Sequence, residues 1–218
     1  MRTFFGNFFV LFVFPLVWAC SAHAAQNSNS NAELYDAIPP PGSSFIRGVN
    51  LSDKTIVMTL SNTETPQSIT AGQISSYRFV SKGRYKVSVG AQSFDIDMKV
   101  DTGTTVIFDG KQLIPLTDMF GNEQRKAQIG FYNLTDQKVS LKTLDGKHVI
   151  IDELEQNQTK GRMVNELKVT LAAYSGDQKI ATYKELFLRK GHSYSYLLLP
   201  SGQGIRAMVV ENSVSPIQ

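Results

Sequence analysis

The chain has 218 residues, one tryptophan, one cysteine and a formal net charge of +3. A charge this close to zero excludes the strong basic field with which nucleic-acid-binding proteins meet phosphates, and we expect no nucleic-acid partner. The single cysteine excludes a disulfide framework and a zinc site built from several cysteines. Function must therefore come from other reactive side chains or from binding surfaces.

Residues 1–24 have the composition of a secretory signal peptide. Arg2 precedes an apolar run over residues 4–17, and Ala22-His23-Ala24 supplies the small residues of a cleavage site. The run is shorter than the roughly 20 apolar residues that a spanning helix needs. Cys20 stands in a loose likeness of a lipoprotein box, so a lipid anchor at Cys20 is the less favoured alternative to cleavage and release.

Residues 25–43 are predicted to form a flexible leader and a proline-rich arm. The stretch AQNSNSNAE is too polar to order itself by burial. Pro39, Pro40 and Pro41 favour an extended conformation that leaves backbone groups free for another surface. The arm either packs on its own first domain, which is the favoured reading, or docks on a partner.

Residues 44–116 show the period of β-strands. Tyr85, Val87 and Val89 alternate with polar neighbours, and turn signals such as Asp109-Gly110 separate such runs. Seven or eight short antiparallel strands are predicted here, with no sustained helical period, which is typical of a small sandwich or barrel. Residues 117–125 combine glycine, asparagine and mixed charges and are the predicted linker.

A second domain over residues 126–212 is predicted because the first returns 83 residues later, and residues 213–218 are left as a tail. Ile46, Asn50, Leu51 and Asp53 recur as Ile129, Asn133, Leu134 and Asp136. Arg189–His192 is assigned to the position of Asp101–Thr104, and residues 152–166 remain open between a loop and a short helix. The predicted fold is all-β, with two tandem antiparallel β-sandwich domains related by internal duplication.

The residues that could carry chemistry form no convincing site. Asp145-Gly146-Lys147-His148 spells the end of an SGNH-type esterase motif, but no Gly-Asp-Ser block precedes it and a hairpin turn explains it better. His192 follows a turn glycine and is expected to be solvated. Asp95 and Asp97 share one strand face, where a solvated pair is commoner than a calcium site. We predict no catalytic, cofactor-binding or metal-binding residue.

One cluster of basic residues is a candidate polymer-binding surface. Arg78, Lys82, Arg84 and Lys86 surround one predicted turn. They could contact an anionic polymer, although a solvated hairpin rim is the more ordinary explanation.

An ordered series of residues resembles the AlgF family of alginate biosynthesis proteins. The series is Leu34-Tyr35, Pro41-Gly42-Ser43, Phe45-Ile46-Arg47, Asn50, Ala127, Ile129, Asn133-Leu134, Leu141-Lys142-Thr143, Asp145-Gly146-Lys147, Lys168-Val169 and Gly191. Gly48 departs from it, because a larger apolar residue is expected there and the second copy has Phe131.

The resemblance implies a periplasmic accessory protein of alginate O-acetylation. Its implied partners are periplasmic SGNH-type alginate O-acetyltransferases and a membrane-bound O-acyltransferase. The expected role is a non-catalytic adaptor, with a carbohydrate-binding module that guides the anionic polymer as the alternative. The candidate partner-binding residues are Leu34, Tyr35, Pro40, Pro41, Phe45 and Arg47.

Overall fold

The computed structural model describes residues 39–120, 123–202 and 204–215, and all regular structure in these ranges is β-strand. They contain no helix that is long and apolar enough to cross a membrane. The predicted signal peptide, the leader, Cys20, Leu34 and Tyr35 lie outside these ranges.

Some strands of the described residues, such as Gly83–Val89, alternate more and less buried positions, as half-buried strands do. Others, such as Ser44–Asn50 and Gly103–Phe108, are buried along almost their whole length. The first half contains β1 (Ser44–Asn50), β2 (Ile56–Leu60), β3 (Gln67–Ile69), β4 (Tyr77–Val80), β5 (Gly83–Val89), β6 (Gln92–Met98), β7 (Gly103–Phe108) and β8 (Leu113–Asp118). The second contains β9 (Ala127–Asn133), β10 (Val139–Thr143), β11 (Val149–Leu154), β12 (Gln158–Val164), β13 (Leu167–Val169), β14 (Leu171–Ser175), β15 (Gln178–Thr182), β16 (Leu186–Leu188), β17 (Ser193–Ser201), β18 (Gly204–Glu211) and β19 (Val214–Ser215).

The two halves repeat one sheet plan. In the first half an outer sheet, β3-β2-β5-β6, packs on an inner sheet, β19-β4-β1-β7-β8. In the second half the outer sheet is β11-β10-β14-β15 and the inner sheet is β12-β9-β17-β18. Removing β19 leaves two sandwiches of the same strand order, which confirms the predicted all-β fold of two tandem, duplicated sandwiches. By register the short β13–β16 pair corresponds to the start of β5 and the end of β6, where Gly83 pairs with Met98.

Most strand pairs are antiparallel as predicted, but each inner sheet has a parallel pair at its centre. β1 runs parallel to β7, and β9 runs parallel to β17. Between the two parallel strands the chain forms all four strands of the outer sheet and one antiparallel strand of the inner sheet, β4 or β12. A parallel pair requires a long crossover, which the intervening strands supply.

The sequence alignment of the last strand pair was wrong by two residues. Ile46 faces Thr104 across β1 and β7, whereas Ile129 faces Tyr194 across β9 and β17. Thr104 therefore corresponds to Tyr194 and not to His192. The error came from aligning two glycines, Gly103 and Gly191, that occupy different structural positions. Gly103 is buried within β7, but Gly191 occupies a turn with φ +78°.

Three segments differ in detail from the sequence reading. Residues 152–166, left open between loop and helix, contain the end of β11 and all of β12, with a left-handed turn at Asn157 (φ 58°). β8 continues to Asp118, inside the segment assigned to the linker. The segment assigned to the tail includes β19, which pairs with β4 of the first sandwich; residues 216–218 lie outside the described ranges.

Three apolar cores give the order of the layers. One core lies between the sheets of each sandwich, around Ile46 and Val87 in the first and Phe131 and Leu141 in the second. The third core joins residues of both inner sheets and contains Val49, Ile107, Leu116, Tyr132, Leu134, Leu197 and Leu199. The four sheets are therefore stacked outer, inner, inner, outer. The position of Gly48 is filled by its neighbours, because Ile69 and Met58 occupy the space of a side chain there.

Candidate interaction surfaces and the buried centre between the sandwiches

The repeated asparagines hold the same turn in both sandwiches. Asn50 donates its amide to the carbonyls of Lys54 (2.7 Å) and Ile69 (2.9 Å) and accepts from the hydroxyl of Ser52 (2.7 Å). Asn133 donates to the corresponding carbonyls at 2.6 and 2.9 Å, and accepts from the hydroxyl that follows two residues later at 2.7 Å. Both asparagines are fully buried. Their recurrence in the sequence therefore has a structural cause.

A polar centre joins the two inner sheets beside the third apolar core. Arg47, only 1% exposed, donates Nε to Thr105 Oγ1 at 2.9 Å and Nη1 to Asn212 Oδ1 at 2.8 Å. Its Nη2 donates to Tyr132 and Ser195, both at 2.8 Å. The guanidinium of one sandwich is therefore saturated largely by acceptors of the other, as a buried charge requires.

Asp118 is the buried carboxylate of the same centre. It accepts hydroxyl hydrogen bonds from Tyr77 (2.8 Å), Thr105 (2.7 Å) and Tyr132 (2.7 Å). The guanidinium carbon of Arg47 also lies 4.0 Å from the centre of the Tyr77 ring, within cation–π range. The network therefore includes residues from β1, β4, β7, β8 and β9.

Some residues of the polar centre occupy corresponding positions in the two sandwiches, but the side chains at other corresponding positions differ. Asp118 lies opposite Gly103, and Asn212 lies opposite Ser193 across the corresponding strands. By strand register Arg47 and Tyr77 correspond to two glycines, Gly130 and Gly161. A Cβ on Gly161 would lie 2.8 Å from Met119 Cβ, so a side chain there would need room that the interface does not leave. The first sandwich thus supplies the large side chains of Arg47 and Tyr77, and the second has glycines at the corresponding positions.

The ionisation of the centre is set by burial and by the neighbouring charges. Burial opposes the positive charge of Arg47, but Tyr132, Tyr77 and Asp118 raise the pKa of its guanidinium above the ordinary value. Burial raises the pKa of Tyr77 and of Tyr132, against the opposing effect of Arg47. Arg47 is therefore charged and the two phenols are neutral at any physiological pH.

The candidate partner-binding residues do not form one surface. Arg47 lies in the interior and uses its donors within the chain, so it is not available to a partner. Phe45 stacks on Phe120 with ring centroids 4.9 Å apart, which fastens the chain after β8 to β1. Pro40 and Pro41 line an open groove of about 680 Å³ at one end of the first sandwich.

The basic cluster is also divided. Arg78 is buried and donates to the carbonyl of Thr65, whereas Lys82, Arg84 and Lys86 are exposed. Arg84 and Lys86 lie directly opposite Asp97 and Asp95 on β6. Arg84 also forms an ion pair with Asp95 at 3.4 Å. The positive charge of this face is therefore balanced on the face itself, which weakens its attraction for an anionic polymer.

His148 lies where the hairpin interpretation puts it. Asp145 accepts from the Thr143 hydroxyl at 2.6 Å and from the Lys147 amide at 3.1 Å, and these bonds lower the pKa of its carboxyl. The backbone of His148 then donates to Thr143 Oγ1 at 3.1 Å. Asp145 thus closes its own turn, and among the described residues no hydrogen bond to the His148 ring is formed.

The second histidine has a carboxylate partner that the sequence did not reveal. His192 Nδ1 lies 2.7 Å from Glu211 Oε1, and Arg189 Nη2 lies 2.7 Å from the same oxygen. Glu211 is at the end of β18, 19 residues after His192, so only the strand pairing brings them together. The described ranges contain no group of three or more histidine, cysteine or acidic residues that could hold a metal ion.

Each sandwich has an opening between its sheets at the same end. By strand register Phe79, Val80 and Tyr85 of the first groove correspond to Met163, Val164 and Val169. The latter three line a cleft of about 360 Å³ in the second sandwich. We call this opening the second-sandwich cleft; Ile150, Met163, Val164, Leu167, Val169 and Leu188 are its apolar wall, and Lys126 and Arg162 are its basic residues.

Comparison with known proteins gives a consistent set of relatives. The family model described as "Alginate O-acetyl transferase AlgF" matches residues 16–195. Alginate biosynthesis protein AlgF of Pseudomonas putida is 30% identical over 190 residues, which cover 86% of this chain and 87% of that protein. The protein of the same name from Pseudomonas aeruginosa is 28% identical over 196 residues, which cover 89% of each chain.

Solved structures of two AlgF domains also match. The C-terminal domain of AlgF from P. aeruginosa is 28% identical, with a TM-score of 0.37, and the match covers 40% of this chain and 99% of that domain. The N-terminal domain is 20% identical, with a TM-score of 0.34, and the match covers 38% of this chain and all (100%) of that domain.

Proposed function

The chain belongs to the AlgF family of alginate biosynthesis proteins, and on that premise we propose that it is a non-catalytic adaptor of alginate O-acetylation. In this role it acts in the periplasm after removal of its signal peptide. It brings periplasmic SGNH-type acetyltransferases together with a membrane-bound O-acyltransferase, so that acetyl groups reach the mannuronate residues of the polymer.

The observation that carries the proposal is the buried interface between the inner sheets. A fully buried arginine with four side-chain acceptors, next to an apolar core from both sandwiches, fixes the two sandwiches against each other. The outer sheets then face away from each other within one compact unit. Two partners bound there would be held at a fixed separation and at a raised effective concentration.

The composition of the described surface favours binding over bond-making. Acyl transfer by a side chain needs a nucleophile, a base and an orienting group within hydrogen-bond reach. His148 belongs to a hairpin turn, and Glu211 shares its oxygen between His192 and Arg189. Neither arrangement places a serine or threonine hydroxyl on a histidine ring nitrogen among the described residues.

The alternative, a module that guides the polymer, receives less support. Its best residues were Arg78, Lys82, Arg84 and Lys86; the first is buried, and two of the others face aspartates. Titration of oligomannuronate into the purified chain separates the two functions. Saturable binding that charge reversal at Arg84 and Lys86 abolishes would favour the guide over the adaptor.

Co-purification tests the adaptor directly. We expect a tagged chain, purified from membranes of cells that make the polymer, to retain both the membrane-bound and the periplasmic acetyltransferases. The purified chain alone should neither transfer nor hydrolyse acetyl groups. Recovery of no acetylation protein, or acetyl transfer by the pure chain, would contradict the proposal.

A further inference from the structure

The second-sandwich cleft differs from the first sandwich at one position of the duplicated plan. Leu167 and Leu188, paired across β13 and β16, belong to the cleft wall and correspond by register to Gly83 and Met98, so a leucine stands where the first sandwich has a glycine. Leu188 is fully buried, but Leu167 opposite it is 40% exposed. The cleft thus combines an exposed leucine with a concave, largely apolar wall, which is the usual form of a binding site.

The charge at the cleft has one sign. Several exposed cations elsewhere in this sandwich have carboxylate partners, as in the pairs Lys138–Glu155 (3.1 Å) and Lys168–Glu185 (2.8 Å). Lys126 and Arg162 have no carboxylate of the described residues within 4.0 Å. Arg162 donates Nη1 to the carbonyls of Val149 (3.0 Å) and Ile150 (2.9 Å), which holds the guanidinium against the apolar wall.

We propose that the second-sandwich cleft docks an extended segment of a partner protein whose large apolar side chain is flanked by carboxylates. The apolar side chain fills the space beside Leu167, and the carboxylates meet Lys126 and Arg162. This inference rests on the adaptor function and names the surface that would serve it. Buried apolar anchors and charge-assisted bonds to arginine are the usual sources of affinity at such sites.

Other occupants fit the same surface less well. A second copy that docked by a two-fold contact would place the basic residues of one cleft against those of the other, and like charges repel. A uronate polymer matches the charge but has no large apolar group for the wall formed by Ile150, Leu167 and Leu188. These occupants are outcomes that the experiment distinguishes.

Site-specific photocrosslinking in the full-length chain identifies the occupant. A photoreactive residue replaces Leu167, and in a control it replaces Val57, which is 50% exposed on the first sandwich. We expect Leu167 to crosslink an acetylation protein through a peptide in which an apolar residue adjoins Asp or Glu. A crosslink to a second copy, to lipid or to polymer, a peptide without carboxylates, or a yield no higher than at Val57 would overturn the docking site.

Charge and shape variants supply the quantitative test. Leu167→Asp and Arg162→Glu should each reduce the partner recovered with the tagged chain by about tenfold, the loss expected for a residue at the centre of an interface. Val57→Asp should stay within about twofold of wild type by the same scale. Because Arg162 also holds two carbonyls, Lys126→Glu is the second charge variant, and thermal unfolding verifies that each variant folds.

The results separate this inference from the adaptor function. If the wild-type chain retains the acetyltransferases and all three cleft variants retain them equally, the docking site is wrong and the adaptor function stands. If the wild-type chain retains none, both are wrong.

Discussion

Arg47 and Asp118, the buried cation and the buried carboxylate of the interface, are joined through the hydroxyls of Thr105 and Tyr132. Each hydroxyl accepts from the guanidinium and donates to the carboxylate, at distances between 2.7 and 2.9 Å. Because Tyr132 comes from the second sandwich, this chain of hydrogen bonds crosses the interface. These hydrogen bonds therefore stabilise the association of the two sandwiches as well as the fold of each sandwich.

Replacement of Arg47 tests that relationship. Arg47→Met keeps much of the volume but leaves Asp118 without its cation and removes one of the two donors to Asn212 Oδ1. We expect unfolding of the chain in urea to show a loss of about 3–5 kcal/mol, the usual effect of removing one partner of a buried charge pair. Adding Asp118→Asn should recover part of that loss, because the remaining buried charge is then removed as well.

The control for this experiment is Arg84→Met. Arg84 pairs with Asp95 at 3.4 Å, but its side chain is 78% exposed. Exposed pairs contribute less than about 1 kcal/mol, so the unfolding free energy should hardly change. Equal losses for Arg47→Met and Arg84→Met would contradict a stabilising role of the polar centre.

The two asparagine turns should respond alike to truncation. Asn50→Ala and Asn133→Ala each leave two carbonyls without their donor, and we expect each to cost about 2–4 kcal/mol of unfolding free energy. Asn165→Ala, an exposed asparagine outside the strands, is the matched control and should cost less than about 0.5 kcal/mol. Urea unfolding measures all three. A large loss at only one of the two turns would argue against equivalent roles for the repeated residues.

The two asparagine turns could be recognised from the sequence, because the same residues recur in both halves of the chain. An amide that closes its own turn needs only nearby residues, and Asn50 and Ser52 recur with the same spacing as Asn133 and Thr135. The fold class and the repeat followed from such local patterns. The parallel pairs of the inner sheets were not predicted, because the alternation of apolar and polar residues does not show which strands are neighbours.

The polar centre was beyond reach for a different reason. Its members are far apart in the chain, and Arg47 donates to Ser195 across 148 positions. The repeat also conceals it, since Arg47 corresponds to Gly130 by register. A lone arginine within a strand was therefore read as a surface residue. The signal that could have helped is the apolar character of the strands on both sides of Arg47, which leaves a charge there little access to water.

Buried tyrosines should make the fold sensitive to alkali. Burial raises the pKa of Tyr77, Tyr132, Tyr183 and Tyr196 above the ordinary value near 10. The raised pKa belongs to the folded state, so these phenols stay neutral there while they ionise in the unfolded chain. The contribution of these phenols to the free energy of unfolding is therefore fully present below pH 10. Above pH 10 it decreases by up to about 1.4 kcal/mol per pH unit for each tyrosine.

Absorbance at 295 nm follows phenolate formation during an alkaline titration. We expect the four buried tyrosines to ionise only together with unfolding, as monitored by circular dichroism. A Tyr183→Phe variant should lose less stability above pH 10, because it removes one group that ionises only in the unfolded chain. Ionisation of all tyrosines near pH 10 in a chain that remains folded would contradict their burial.

Histidine substitutions distinguish an adaptor from an enzyme. If the chain makes or breaks no acetyl bond, His148→Ala and His192→Ala should leave the acetyl content of the polymer within about twofold of wild type, since general acid–base catalysis contributes typically 10²–10⁴-fold. His192→Ala is the stricter test of the two, because His192 Nδ1 is bonded to Glu211 and Nε2 is the ring nitrogen left for a substrate. Glu211→Gln is its companion, and retention of the acetyltransferases on the tagged chain shows that each variant still assembles. A loss of acetylation by a hundredfold in His192→Ala, with the partners still retained, would assign catalysis to this histidine and end the non-catalytic reading of the chain.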